Sequence, residues 1–93
     1  DLDRREGDLA GAREAYRRAL AIDEAAYGTG HDSVARDRAK LGEVLADAGE
    51  HAAARGHLER ALAWIAEAHG PDDIRAVHLR SVLARLSPAP HAE

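Results

Sequence analysis

The sequence predicts an all-α fold assembled from repeated antiparallel helix-turn-helix units, and three observations predict it. First, the chain repeats itself. Gly7 and Gly49 stand 42 residues apart, as do Gly28 and Gly70. On that offset Ala12-Arg13 falls on Ala54-Arg55, and Arg18-Ala19-Leu20-Ala21 falls on Arg60-Ala61-Leu62-Ala63. A fixed period of this size marks stacked supersecondary units. Second, apolar residues recur at helical spacing throughout. Third, the hydrophobic share is 45%, with one Trp, two Tyr and no Phe, Met or Cys. A core made largely of Ala and Leu suits close helix packing, and the scarcity of β-branched and aromatic residues argues against sheet.

The elements follow in order. Residues 1–6 read as a short helical piece ahead of Gly7. A first helix spans 8–27, with Ala12, Tyr16, Ala19 and Leu20 along one face. The stretch Ala26-Tyr27-Gly28-Thr29-Gly30-His31-Asp32 lies over Ala68-His69-Gly70-Pro71-Asp72-Asp73-Ile74 in the repeat, so both read as turns after a helix. Gly28 and Gly70 stand where a helix end takes a left-handed residue. Asp32 or Ser33 caps the second helix, and Asp72 or Asp73 the fourth. The second helix covers 32–48, with Val34, Arg38, Leu41, Gly42 and Leu45 at i, i+4, i+7, i+8 and i+11. Gly49 interrupts. The third helix covers 51–69, with Ala54, Leu58, Ala61, Leu62 and Ile65 on its inner face. The fourth covers 73–86, with Leu79, Val82, Leu83 and Leu86 on one side, and Ser87-Pro88-Ala89-Pro90 stops it. Residues 87–93 read as a disordered tail.

Composition and motif spacing exclude several functions. A net charge of -4 disfavours nucleic acid as a partner. No apolar run is long enough to span a membrane. The turn at Gly28–Gly30 lacks the Gly-Lys-Ser/Thr ending of a phosphate loop. Six histidines are present, at 31, 51, 57, 69, 78 and 91, and no two stand at i, i+4 on an expected helix. No metal or cofactor site is therefore expected. Ser33 and Ser81 lack nucleophile-elbow glycines, and Asp72-Asp73 reads as a cap, so no enzyme is expected. Absence of cysteine leans toward a reducing, cytoplasmic setting. The basic residues number 13, all Arg except Lys40, which with the Ala and Gly content suggests a GC-rich bacterial genome. The chain opens at Asp1 rather than Met, so it reads as a piece of a longer protein.

The repeat resembles the tetratricopeptide repeat. The matching residues are Leu41-Gly42, Gly49, Ala54, Leu58 and Ala61 in one unit, and Gly7, Ala12, Tyr16 and Ala19 in the unit before. Small residues let paired helices approach, and the large ones fill the gaps. The long period and the run Gly28-Thr29-Gly30-His31-Asp32-Ser33-Val34-Ala35 look like the kinesin-light-chain type of repeat. The likeness spans residues from about 7 to 86, nearly the whole chain. Three departures stand out: Arg38 replaces an aromatic residue, Ala39-Lys40 replaces an Asn pair that clamps peptide backbone, and the second turn lacks the histidine.

The resemblance implies a fold, antiparallel helix-turn-helix repeats stacked as a right-handed α-solenoid. It also implies a role, binding a protein or peptide segment in a concave groove lined by the first helix of each pair. Arg36, Ala39, Lys40, Glu43 and Asp47 should face that groove from one unit, and His78, Ser81, Val82 and Arg85 from the next. An alternative is a regulatory repeat segment of a larger bacterial signalling protein. Incomplete units at both ends expose apolar residues such as Leu83, Leu86, Tyr16 and Ala19, so self-association through the open ends is a further expectation.

Overall fold

Helical periodicity and glycine stops divide the chain into four helices: α1 Leu2–Tyr27, α2 Asp32–Asp47, α3 His51–His69 and α4 Ile74–Arg85. The computed structural model describes residues 2–86, and no strand occurs among them. The fold class is all-α. The tail at 87–93 lies outside the described residues.

The break expected at Gly7 does not occur, because α1 runs continuously from Leu2. A helix as short as residues 1–6 cannot sustain itself. Continuing through one interior glycine costs only about 1 kcal/mol. The other two turns behave as the repeat implies. Gly28 and Gly70 hold φ of 78° and 99°. Their amides donate back to the carbonyls of Glu24 and Ala66, each at 2.9 Å, which closes α1 and α3. A side chain at either place would meet the left-handed penalty.

The cap of α2 corrects the sequence expectation. Neither Asp32 nor Ser33 is the N-cap. That role belongs to His31, whose backbone is extended and whose Nδ1 accepts from the Ser33 amide at 3.0 Å. The ring is fixed by stacking on Tyr27, with centroids 4.2 Å apart. Asp32 then occupies the first turn of α2, where its charge suits the helix dipole. In α4 the cap is Asp73, whose Oδ1 accepts from the Arg75 amide at 2.9 Å.

Successive helices pack in sequence order, α1 on α2, α2 on α3 and α3 on α4. Short turns join them, so each neighbouring pair is a helical hairpin. One continuous core results. Leu41 and Leu45 of α2, Leu58 and Ile65 of α3 and Leu79 of α4 are each at most 2% exposed. Burying one such side chain contributes about 1.5–3 kcal/mol. Ala54 and Ala61 are buried with them, as close helix approach requires. Tyr16, Leu62, Leu83 and Leu86 are half-buried around the core.

Two charged residues join this core. Arg38 is 8% exposed, and its Nη2 donates to Glu24 Oε2 of α1 at 2.5 Å. Its stem is buried in the packing while its charge finds a carboxylate. Asp37 is 3% exposed, and nothing in the sequence reading foresees its burial.

Candidate functional site

Helices α2 and α4 lie on either side of a cleft of about 590 Å³. Its floor is apolar: Ile65 from α3 and Leu79 from α4 are buried beneath it. The α2 wall presents Arg36, Ala39, Lys40 and Glu43, one face of a helix at i, i+3, i+4 and i+7. The α4 wall presents Ile74, Arg75 and His78 on the same rule. Ile74 is 81% exposed, a large apolar side chain held open at the mouth.

The charges of the cleft are mostly paired. His78 Nε2 donates to Glu43 Oε2 across the cleft at 3.0 Å. At one end Asp32 Oδ1 accepts from His69 Nε2 at 2.9 Å, with Arg75 Nη1 at 3.5 Å. The His69 hydrogen bond, helped by the Arg75 guanidinium, holds Asp32 below its ordinary value. Side-chain and backbone hydrogen bonds from Arg75 do the same to Asp73, and Asp73 in turn raises Arg75. Arg36, at the edge of the cleft, also reaches back to two carboxylates: its Nη2 is 3.8 Å from Asp23 Oδ2 of α1 and its Nε 3.5 Å from Asp37 Oδ1 of α2. Except for buried Asp37, these pairs are exposed enough for solvent to screen them, so each contributes little to stability. They do fix the directions of the rim side chains.

Of the nine residues that the sequence assigns to the groove, five line this cleft: Arg36, Ala39, Lys40, Glu43 and His78. Asp47, Ser81 and Arg85 are exposed but outside its lining. Val82 is corrected: it is 8% exposed and part of the hydrophobic core, because it shares the inner face of α4 with Leu79. Ser33 and the floor pair Ile65 and Leu79 are also outside that assignment, and on the rim the sequence reading misses Asp32, Ile74 and Arg75. The signal was available, since each lies one helical turn before a lining residue: Asp32 before Arg36, Ile74 before His78, Arg75 before Leu79.

A second concavity of about 320 Å³ lies between α2 and α3, with Arg38, Arg60 and Trp64 around it. Thr29 of the turn after α1 lines it as well. Among the described residues no three His, Cys, Asp or Glu side chains converge as a metal site would need. No helix among them is long and apolar enough to cross a membrane.

The model of one family, the tetratricopeptide repeat, matches residues 1–63. No curated protein and no solved structure matches the chain.

Proposed function

Since the chain belongs to the tetratricopeptide repeat family, a family of non-catalytic modules that generally bind proteins or peptides, we propose that its α2–α4 cleft takes an extended protein segment. The observation that carries this reading is the cleft's construction: a buried apolar floor at Ile65 and Leu79, an open apolar side chain at Ile74 and a polar rim. Such a surface offers an anchor pocket and orienting groups together, as peptide-binding grooves do. Arg36, Ala39, Lys40, Glu43 and His78 are the residues we assign to it. The spacing of the units supports placing them with the kinesin-light-chain type, stacked as a right-handed solenoid; the absence of cysteine and the Arg-, Ala- and Gly-rich composition support a cytoplasmic protein of bacterial source.

Selection of peptides from a displayed random library tests the reading. Selected peptides should bind the parent chain, lose at least tenfold on Ile74→Asp, and lose little on Arg18→Ala, which lies outside the cleft. Peptides that bind Ile74→Asp and Lys40→Glu as tightly as the parent chain defeat the assignment.

A second reading has its own support. Ile22 on α1 is 66% exposed and Val77 on α4 is 45% exposed. Apolar residues left open on the outer helices favour self-association through the ends of the repeat. Sedimentation showing only monomer at high micromolar concentration counts against it.

A further inference from the structure

The repeat offset lays Asp23 over Ile65 and Asp37 over Leu79. In the later unit these positions are apolar and closed, each 2% exposed within the core. In the earlier unit the same two positions carry carboxylic acids. Asp37 is nevertheless 3% exposed, and the side chain of Asp23 is 21% exposed. The fold has thus put an acid pair into a seam that the repeat pattern fills with hydrocarbon.

Their surroundings do not neutralise two charges. Arg36 is the guanidinium within reach of both, at 3.5 Å from Asp37 Oδ1 and 3.8 Å from Asp23 Oδ2. Its side chain is 63% exposed, so water weakens its hold. Asp37 Oδ2 is buried with no hydrogen-bond donor among the described residues. A buried ionised carboxylate with an unsatisfied oxygen is strongly disfavoured. A protonated one is itself a donor, and Asp23 is an acceptor beside it.

We propose that Asp23 and Asp37 hold one proton between them, so that the α1–α2 seam tightens as pH falls and loosens when the proton leaves. Other charged groups stand on the neighbouring helices, and Glu24, Arg38 and Arg75 are engaged elsewhere. On α1, Glu24 is bound by Arg38. On α3, His57 and Arg60 stand beside Arg38. On α4, Arg75 is held by Asp73 and Asp32. The electrostatics agree with the geometry: burial first, then the hydrogen bond with Asp23 and its charge, raise Asp37 above the ordinary 3.8, and Arg36 offsets part of the rise. The folded chain then keeps a proton that the unfolded chain has released. The stabilisation is complete below the ordinary value and is lost as pH rises through the raised one.

A carboxyl-carbon NMR titration of the whole chain, paired with thermal unfolding across pH, tests this. The Asp37 midpoint should lie above that of an ordinary aspartate, and Asp23→Asn, which removes the partner charge and supplies an amide donor, should bring it down. Asp37→Leu, which restores the residue of the later unit, should gain Tm over the parent chain by an amount that grows as pH rises through that midpoint. An Asp37 midpoint at the ordinary value overturns the proposal whatever the Tm data show. A raised midpoint that Asp23→Asn leaves unmoved also overturns it, since burial alone would then be the cause. Because the titration is read on the parent chain and on Asp23→Asn, it decides even if Asp37→Leu does not fold.

Discussion

A Cβ placed on Gly42 would stand 2.7 Å from Cγ of Leu58 and 2.8 Å from its Cδ2, with the carbonyl oxygen of Ala54 at 3.3 Å. Helices α2 and α3 approach this closely because position 42 carries no side chain. Leu58 is 0% exposed and has no free space to swing into. Gly42→Ala gains about 0.5–1 kcal/mol of helix propensity. It loses about 1–3 kcal/mol to overpacking. With Leu58 fully packed 2.7 Å away the overpacking wins, and the variant should be destabilised by up to about 2.5 kcal/mol. Leu58→Ala alone should lose about 2–5 kcal/mol to the cavity it leaves. In the double variant the new methyl enters that cavity, so the combined loss should fall short of the sum. Chemical denaturation of all four proteins measures the coupling, and additivity within about 0.5 kcal/mol would mean that the two residues do not share this contact.

Below neutral pH the chain should lose stability through His57. Its Nδ1 is buried without a hydrogen-bond partner among the described residues. Burial first, and then the neighbouring Arg38, Arg60 and Arg17, push it below the ordinary 6.5. The unfolded chain therefore takes up a proton that the folded chain refuses. Stability is full above the ordinary value and falls as pH drops through it. His57→Leu removes both the proton and the orphaned nitrogen, so it should flatten the Tm profile between about pH 5 and 7. A variant profile parallel to that of the parent chain would show that His57 is not the group responsible.

Much of the fold is legible in the sequence, and what is not has physical reasons. Leu41, Gly42, Ala54 and Leu58 repeat at helical spacing, and small-against-large pairing at those positions has one sensible packing. Asp37 is invisible to that logic, because a carboxylate on an amphipathic helix reads as solvent-facing, and only the docking of α1 buries it. His31 is passed over because Asp32 and Ser33 beside it are better-known caps, although an imidazole nitrogen accepts the same bond. The rim of the cleft follows from spacing along α2 and α4. Its floor does not, since Ile65 belongs to α3 and reaches the cleft only by lying beneath α4. Val82 goes wrong by one helical step: it is three residues from Leu79 and follows that residue inward.

Helix α2 should depend on its unusual cap. His31 accepts from the Ser33 amide at 3.0 Å while its ring lies 11° from parallel to Tyr27. His31→Ala removes both contacts and should cost about 0.5–2 kcal/mol. His31→Asn keeps an acceptor at the cap but loses the stack, so it should recover most of that loss. Tyr27→Ala keeps the cap and loses the stack, and should cost less than His31→Ala. Urea unfolding ranks the three variants. A Tyr27→Ala loss equal to that of His31→Ala would mean that stacking, not capping, is what His31 provides.

Among the described residues five glycines meet open space where a side chain would go, and at four of them, two helical and two left-handed, the backbone should decide the outcome of filling it. Gly11 in α1 and Gly56 in α3 are helical, and an added Cβ meets nothing within 4 Å. Gly28 and Gly49 are equally unobstructed, but hold φ of +78° and +85°. At Gly11 and Gly56 alanine lowers the entropy of the unfolded chain without strain, so each change should stabilise by about 0.4–1 kcal/mol. At Gly28 and Gly49 the same entropy gain is set against a left-handed penalty of about 1–2 kcal/mol, so each change should destabilise. Space being equal at all four, the sign of the effect isolates backbone conformation. Stabilisation by Gly49→Ala would mean that the α2–α3 turn does not hold its left-handed residue in solution, and the helical hairpin would then be closed by core packing alone.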